Sequence, residues 1–397
     1  KGFGGNCEER NSGDVVVRYD QLADRWLIVL PLFSRGLARP DQIAPAPPGV
    51  AQLSVPGVPN QPGRAARLFQ PPPSTPTPTP QPGPRPSPPP GPLGPYSMCY
   101  AISATPDPLG AYYRYEFLRP LFPDYPRPAI WIDGYYVPTS TSDNRISPTV
   151  ATEKHACVVD RAKMLKGLPA TEQCVIINDV NFLNNADIDG KNLPPKGAPN
   201  IMMAAGGRQL DNILSDDVIN VWQFHVDWKD PGKTRIAGPQ VVKVAPYNYL
   251  CGGQLTYCVP QPGSELRLDA QGDKLMARLV YRRIGDRESM VAAHSIDTAA
   301  GGGGVRWYEF RVNHKDKARS VNLHQQGTYA PEGSYRWLPS PAMDKHGNIG
   351  IGYSFGGSPH FAGQRFAGRG PYDPPGQLTL REVVLVEGEA ADGGPGT

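Results

Sequence analysis

The chain has 397 residues, 39% of them hydrophobic, which is enough to bury a large core. Only 19% are charged and the net charge is +3, so there is no electrostatic footprint for nucleic acid or an acidic membrane surface. The 44 glycines and 47 prolines exceed a fifth of the chain, the composition of an all-β protein with many turns and one low-complexity segment.

The stretch Gly13–Phe33 reads as two strands joined by a turn at Gln21–Asp24. The longest apolar run, Trp26–Phe33, is strand-length and falls short of the roughly 18 residues of a membrane-spanning helix. From Pro40 to Pro95 proline dominates, as in PSTPTPTPQPGPRPSPPPGP; such sequence cannot supply ladder N–H groups and favours polyproline II. The strand pattern resumes at Met98–Ser103. The segment is therefore expected as a long loop inserted within one sheet, serving as a solvated insertion, a partner-docking arm or an O-glycosylated stalk. The chain divides accordingly into residues 1–39, 40–95 and 96–397.

Beyond the insertion, Ala111–Phe117 alternates aromatics, and Asp133-Gly134 sits between two apolar runs as a hairpin turn. His155–Asp160 is a short strand. Asp160–Leu168 is the best helix candidate, with Asp160 as its cap and Gly167 at its end. Val218–Trp228 and Val305–Val312 read as strands, and Gly285-Asp286 as the turn between two more. Tyr335–Tyr353 is strand, turn at Asp344–Asn348, strand; its alternate glycines, Gly350 and Gly352, predict close approach of another backbone. Leu378–Glu387 closes the pattern. An Arg-Trp pair recurs at Arg25-Trp26, Arg306-Trp307 and Arg336-Trp337, as a repeated wedge-filling aromatic would. These hairpins predict an all-β β-propeller of six to eight four-stranded blades.

Six cysteines form an even set without zinc spacing and point to an oxidising compartment. Cys251 and Cys258 flank GGQLTY as a small disulfide loop, and Cys157 with Cys174 can close a second. The chain starts at Lys1 without a signal peptide, as a mature form, a trimmed form or a fragment would.

Several phrases occur together in order. They include GFGGNC (Gly2–Cys7), GDVVVRYDQLADRW (Gly13–Trp26), FPDYPRPAIWIDGYY (Phe122–Tyr136), ADIDGKNLPPKGAPN (Ala186–Asn200), FHVDW (Phe224–Trp228) and QQGTYAPEGSYRWLPSPAMDKHGNIGIGYS (Gln325–Ser354). This set resembles large secreted bacterial proteins of β-propeller, sialidase-like shape without an assigned activity. The resemblance implies an extracellular or cell-surface protein. It also implies further propeller sequence before and after this chain, so missing blades are expected from outside it or from a cleaved companion segment.

For chemistry, Asp187 and Asp189 in NNADIDGKN alternate around a glycine turn and are candidate Ca²⁺ ligands in an exposed loop. A sialidase-like site needs an arginine cluster with a tyrosine nucleophile and a carboxylate base; Arg282, Arg306, Arg365 and Arg369 with Tyr308 and Glu309 are the candidates. His225 and Asp227 share a strand face. No serine-hydrolase elbow, zinc-protease helix or phosphate loop occurs. The expected function is a surface scaffold that binds a protein or glycan. The alternatives are a glycan-processing hydrolase and a structural subunit of a larger extracellular assembly.

Overall fold

Alternating apolar residues on either side of Gln21–Asp24 pair as β1 (Val16–Asp20) and β2 (Arg25–Pro31), with Tyr19 opposite Trp26. The computed structural model describes residues 3, 5–34, 55–56, 95–139, 154–178, 180–210, 214–254, 256–313 and 315–393. The expectations for Pro40–Pro95 fall almost entirely outside these residues. One short strand from that stretch, β3 (Val55–Pro56), is described.

The first sheet is completed by β4 (Tyr96–Ser103) and β5 (Tyr112–Arg119), in the order β1-β2-β4-β5. Leu27 on β2 faces Ile102 on β4, so the proline-rich stretch leaves and re-enters between two adjacent strands of one sheet. A second meander follows: β6 (Ala129–Ile130), β7 (Tyr135–Tyr136), β8 (Lys154–Val159) and β9 (Thr171–Ile177), with β3 on the outer edge of β9. The third contains β10 (Asn184–Ile188), β11 (Asn200–Ala205), β12 (Val218–His225) and β13 (Arg235–Lys243). After a small hairpin, β14 (Val259–Gln261) with β15 (Ser264–Leu268), comes the fourth: β16 (Leu279–Ile284), β17 (Arg287–Asp297), β18 (Gly303–Val312) and β19 (Val321–Tyr329). The fifth is β20 (Tyr335–Met343), β21 (Ile349–Gly357), β22 (His360–Arg369) and β23 (Leu380–Val386). The third and fourth meanders join into one eight-stranded sheet because β10 and β16 pair in parallel, with Ala186 opposite Leu279.

The class is all-β, and among the described residues the two α-helices are single turns: α1 (Asn6–Glu9) and α2 (Arg161–Met164). The Asp160 side chain accepts from the Lys163 amide at 3.0 Å, the cap expected from the sequence. Gly167 ends this segment at φ 64, under the Tyr113 ring, where a Cβ would collide.

Successive meanders pack face to face. Leu27, Tyr100, Ile102 and Phe117 of the first meet Tyr135 and Val159 of the second. Trp131, Val158, Met203, Trp222, Tyr281 and Phe310 form the largest cluster, shared by the second, third and fourth. Val291 and Trp307 of the fourth meet Ile351 and Tyr353 of the fifth. Each such side chain contributes roughly 1.5–3 kcal/mol when fully buried.

Two sequence expectations change. The Arg-Trp pairs do not occupy equivalent places: Trp26 lies on β2, Trp307 on β18 and Trp337 on β20, the second, third and first strands of their meanders. Each fills a different gap; Trp26 packs on Tyr19 at 5.0 Å, and Trp337 packs with Leu250 and Val259. The alternate glycines also differ from expectation. A Cβ at Gly350 or Gly352 would meet nothing within 4 Å, so among the described residues no backbone approaches that face.

Three disulfides are present. Cys251–Cys258 and Cys157–Cys174 are the pairs read from the sequence; Cys157 lies directly opposite Cys174 on the β8–β9 ladder. The third, Cys7–Cys99, ties α1 to β4 across 92 residues. In the loop-entropy picture the long link stabilises by about 4–5 kcal/mol and the Cys251–Cys258 link by about 2 kcal/mol. Urea midpoints of the paired Cys→Ser variants should therefore fall further for Cys7/Cys99 than for Cys251/Cys258. The reverse order would show that restriction of the unfolded chain is not what these links contribute.

Candidate functional site

A charged junction lies where β1, β6, β10 and β16 come together. Asp187 and Asp189 alternate along the β10 direction and so project from the same side. Asp187 is only 3% exposed and accepts from the Ile130 amide at 2.8 Å and from Arg278 Nε at 2.7 Å. Asp189 accepts from Arg278 Nη2, and its amide continues the ladder to the Tyr281 carbonyl at 2.8 Å. Burial disfavours the charge on Arg278, but the two carboxylates outweigh it and raise its pKa. Arg18 approaches from β1 and donates to the Pro128 carbonyl at 3.1 Å; burial lowers its pKa.

This corrects the calcium reading. Asp187 is on a buried strand rather than in an exposed loop, and a guanidinium occupies the place between the carboxylates. No motif singled out Arg278, which lies 91 residues from Asp187 and arrives through the parallel β10–β16 pairing. Among the described residues, the single group of three whose ligand atoms approach one another is Cys157, Glu172 and Cys174. Both of its sulfurs are in the disulfide, and Glu172 pairs with Arg119 at 2.6 Å.

The predicted sialidase-like cluster is dispersed. Tyr308 and Glu309 are neighbours on β18, so the pleat points them to opposite faces. The Tyr308 hydroxyl meets His294 Nε2 at 2.8 Å, while Glu309 accepts from Ser289 at 3.1 Å and Gln325 at 2.6 Å. Arg282 lies over Gly190. Arg365 pairs with Glu382 at 3.0 Å and Glu387 at 2.9 Å, and Arg369 donates to the carbonyls of Asp373, Pro374 and Gln377. The tyrosine–carboxylate couple that retaining sialidase chemistry needs is not assembled from these residues. His225 and Asp227 border a separate opening with Lys233 and Arg235. There Asp227 accepts from the amides of Lys229 and Asp230 at 2.9 Å each, which lowers its pKa and fixes the turn.

One predicted arginine does line a cleft. Arg306 is on the same face of β18 as Tyr308; it donates from Nε to Thr328 at 2.8 Å, from Nη1 to the Ala245 carbonyl at 3.1 Å and from Nη2 to the Pro246 carbonyl at 3.4 Å. These bonds hold the 245–248 segment against β18 and β19. The resulting cleft of about 370 Å³ is lined by Arg208, Tyr247, Asn248, Asp297, Thr298 and Thr328 around Arg306. Beneath it Tyr247, Tyr249, His294 and Tyr308 cluster; the His294 ring meets Tyr247 edge-on at 4.6 Å and lies parallel to Tyr308 at 5.6 Å. Burial, with help from Arg306, lowers the His294 pKa to about 3. The cleft thus offers a fixed cation, an exposed cation at Arg208, an amide, hydroxyls and an aromatic floor. Arg208, Tyr247 and Asn248 carried no motif that could single them out in the sequence.

No family model, curated protein or solved structure matches this chain.

Two outcomes follow from this geometry. Asp187→Ala should lower stability by about 3 kcal/mol, because it leaves a buried amide and one side of Arg278 unpaired. Added calcium should leave the wild-type melting temperature unchanged; a calcium-dependent rise lost in Asp187→Ala would restore the metal reading. His294 is neutral when folded, with its pKa below the unfolded value of about 6.5. The unfolded chain therefore binds the extra proton, and stability falls as pH drops from about 6.5 toward 3, by up to about 1.4 kcal/mol per pH unit for this one group. Urea titrations at pH 7 and pH 5 should show a smaller loss in His294→Gln than in wild type; an equal loss in both would remove His294 from the acid response.

Proposed function

We propose that this protein is an extracellular or cell-surface β-propeller scaffold that binds an acidic glycan through the Arg306 cleft. The propeller reading is supported by sheet order. Five antiparallel four-stranded meanders follow one another in the chain, β6 packs against β10, β10 pairs with β16, and β20 packs against β16 and β17. This is the neighbourhood expected for the inner strands of successive blades. Three disulfides support an oxidising, extracellular setting, and no helix among the described residues is long and apolar enough to cross a membrane. The resemblance to secreted propeller proteins points the same way.

The observation that carries the binding reading is the lining of the cleft: two arginines, Asn248, Asp297 and two threonines around the Tyr247 ring. Arginine forks match carboxylate or sulfate groups, amides and hydroxyls match sugar hydroxyls, and an aromatic ring supplies an apolar platform. A glycan-processing enzyme remains the alternative chemistry for the same opening. A structural role in an assembly is favoured by a different feature. On β23, Leu380, Val383, Val384, Leu385 and Val386 are 42–57% exposed, an apolar row on an edge strand.

A printed array of neutral, uronic-acid and sulfated glycans tests the reading. Retention should be confined to acidic glycans and should weaken about tenfold in Arg208→Ala, the loss of one charge-assisted contact. Turnover of an acidic glycan would replace the scaffold reading with the enzyme one. No retention, together with an oligomer in sedimentation that dissociates in Val384→Asp, would replace it with the structural one.

A further inference from the structure

The segments that lead into β6, β10 and β16 converge at one end of these strands. They bring together Asp124, Tyr125 and Arg127 from the first, Phe182 from the second, and Asp273 with Lys274 from the third. Arg127 is 3% exposed, and its Nε, Nη1 and Nη2 have no hydrogen-bond partner among the described residues. Its guanidinium lies 5.0 Å from the ring centres of both Tyr125 and Phe182. Lys274 is also buried; its ammonium lies 4.2 Å from the Phe182 ring and pairs with Asp273 at 2.5 Å.

A desolvated guanidinium without hydrogen bonds is one of the costliest arrangements in a folded protein. Ring contacts offset part of that cost but leave all five N–H donors unused. Asp124 and Asp273 lie near enough to act on the Arg127 charge without accepting a hydrogen bond from it. The chain over the guanidinium is strained: Tyr125 adopts φ 49, left-handed for a bulky aromatic residue. Such strain gathers where a backbone is held ready for a ligand. Asp124 and Tyr125 are only partly buried, so this side of the cluster reaches the surface.

We propose that Arg127, with Lys274 beside it, anchors a small-oxyanion site at the meeting point of these three segments. The guanidinium fork fits the two oxygens of a carboxylate or of a phosphate group, and the rings of Tyr125 and Phe182 wall the site. This site is independent of the Arg306 cleft and shares no residue with it.

Calorimetric titration of the intact protein with acetate and with inorganic phosphate, at constant ionic strength, tests the proposal. One of the two should bind saturably at one site per chain, and which one identifies the source of the oxyanion. Arg127→Gln should weaken that binding about ten- to hundredfold, the worth of a charge-assisted hydrogen-bonded pair. Arg127→Lys keeps the charge without the fork and should show a similar loss if the Gln variant fails to fold. Asp124→Asn should retain or tighten binding. Absence of saturable binding of either anion to the wild type would overturn the proposal. So would binding left unchanged in both Arg127 variants. Asp124→Asn destabilising a protein that binds neither anion would make Asp124 the internal counter-ion instead.

Discussion

Arg278 is the residue around which β6, β10 and β16 are arranged. Its guanidinium holds Asp187 on β10 and Asp189 just beyond it, and Asp187 in turn holds the Ile130 amide of β6. Desolvated charges are tolerable only when every partner is in place. That requirement fixes the register of β10 against β16 and the approach of β6 to both. A one-residue slip along β10 would turn both carboxylates to the other face and leave Arg278 buried without a counter-charge. The hydrophobic clusters on either side are large but non-directional, and they accept many arrangements of similar volume. The ion pairs do not.

Everything outward of that junction follows the pleat. On β18, Arg306 and Tyr308 face the rings of Tyr247 and His294, whereas Trp307 and Glu309 face the other way, Trp307 toward the fifth meander. One strand therefore serves a polar cleft on one side and an apolar interface on the other. Tyr308 and Glu309, adjacent in sequence, are chemically separated for that reason. Similarly, Arg365 and Arg369 occupy one strand yet belong to different local networks, one on Glu382 and one capping the 373–377 turn. Arginine in this protein is chiefly a fastener of backbone carbonyls and buried carboxylates, and Arg127 stands apart because its fork is unused.

Much of the fold was legible in the sequence. The turn at Gln21–Asp24, the Asp133-Gly134 and Gly285-Asp286 hairpins, the Asp160 cap and the long strand hairpin around Asp344–Asn348 all stand where local turn chemistry put them. Two disulfides were legible because their partners are close in the chain. These features depend on neighbours a few residues away, and period-2 alternation then settles an all-β class. The alternation stops at Phe33 and restarts near Met98, and β2 and β4, the strands before and after that interval, are neighbours in one sheet.

What the sequence could not determine depends on residues that meet only after folding. The Cys7–Cys99 link, the capture of Asp187 and Asp189 by Arg278, and the assembly of Arg208, Tyr247 and Arg306 around one cleft each join segments dozens of residues apart. An Asp-x-Asp-Gly run has the same local chemistry whether it binds calcium, caps a turn or holds a guanidinium. Likewise, Gly350 and Gly352 leave room for another backbone, but only the packing of sheets determines whether one fills it. Local propensity specified the strands and turns of this chain. The pairing of β10 with β16 and the burial it imposes determined which charges became structural and which remained at an opening.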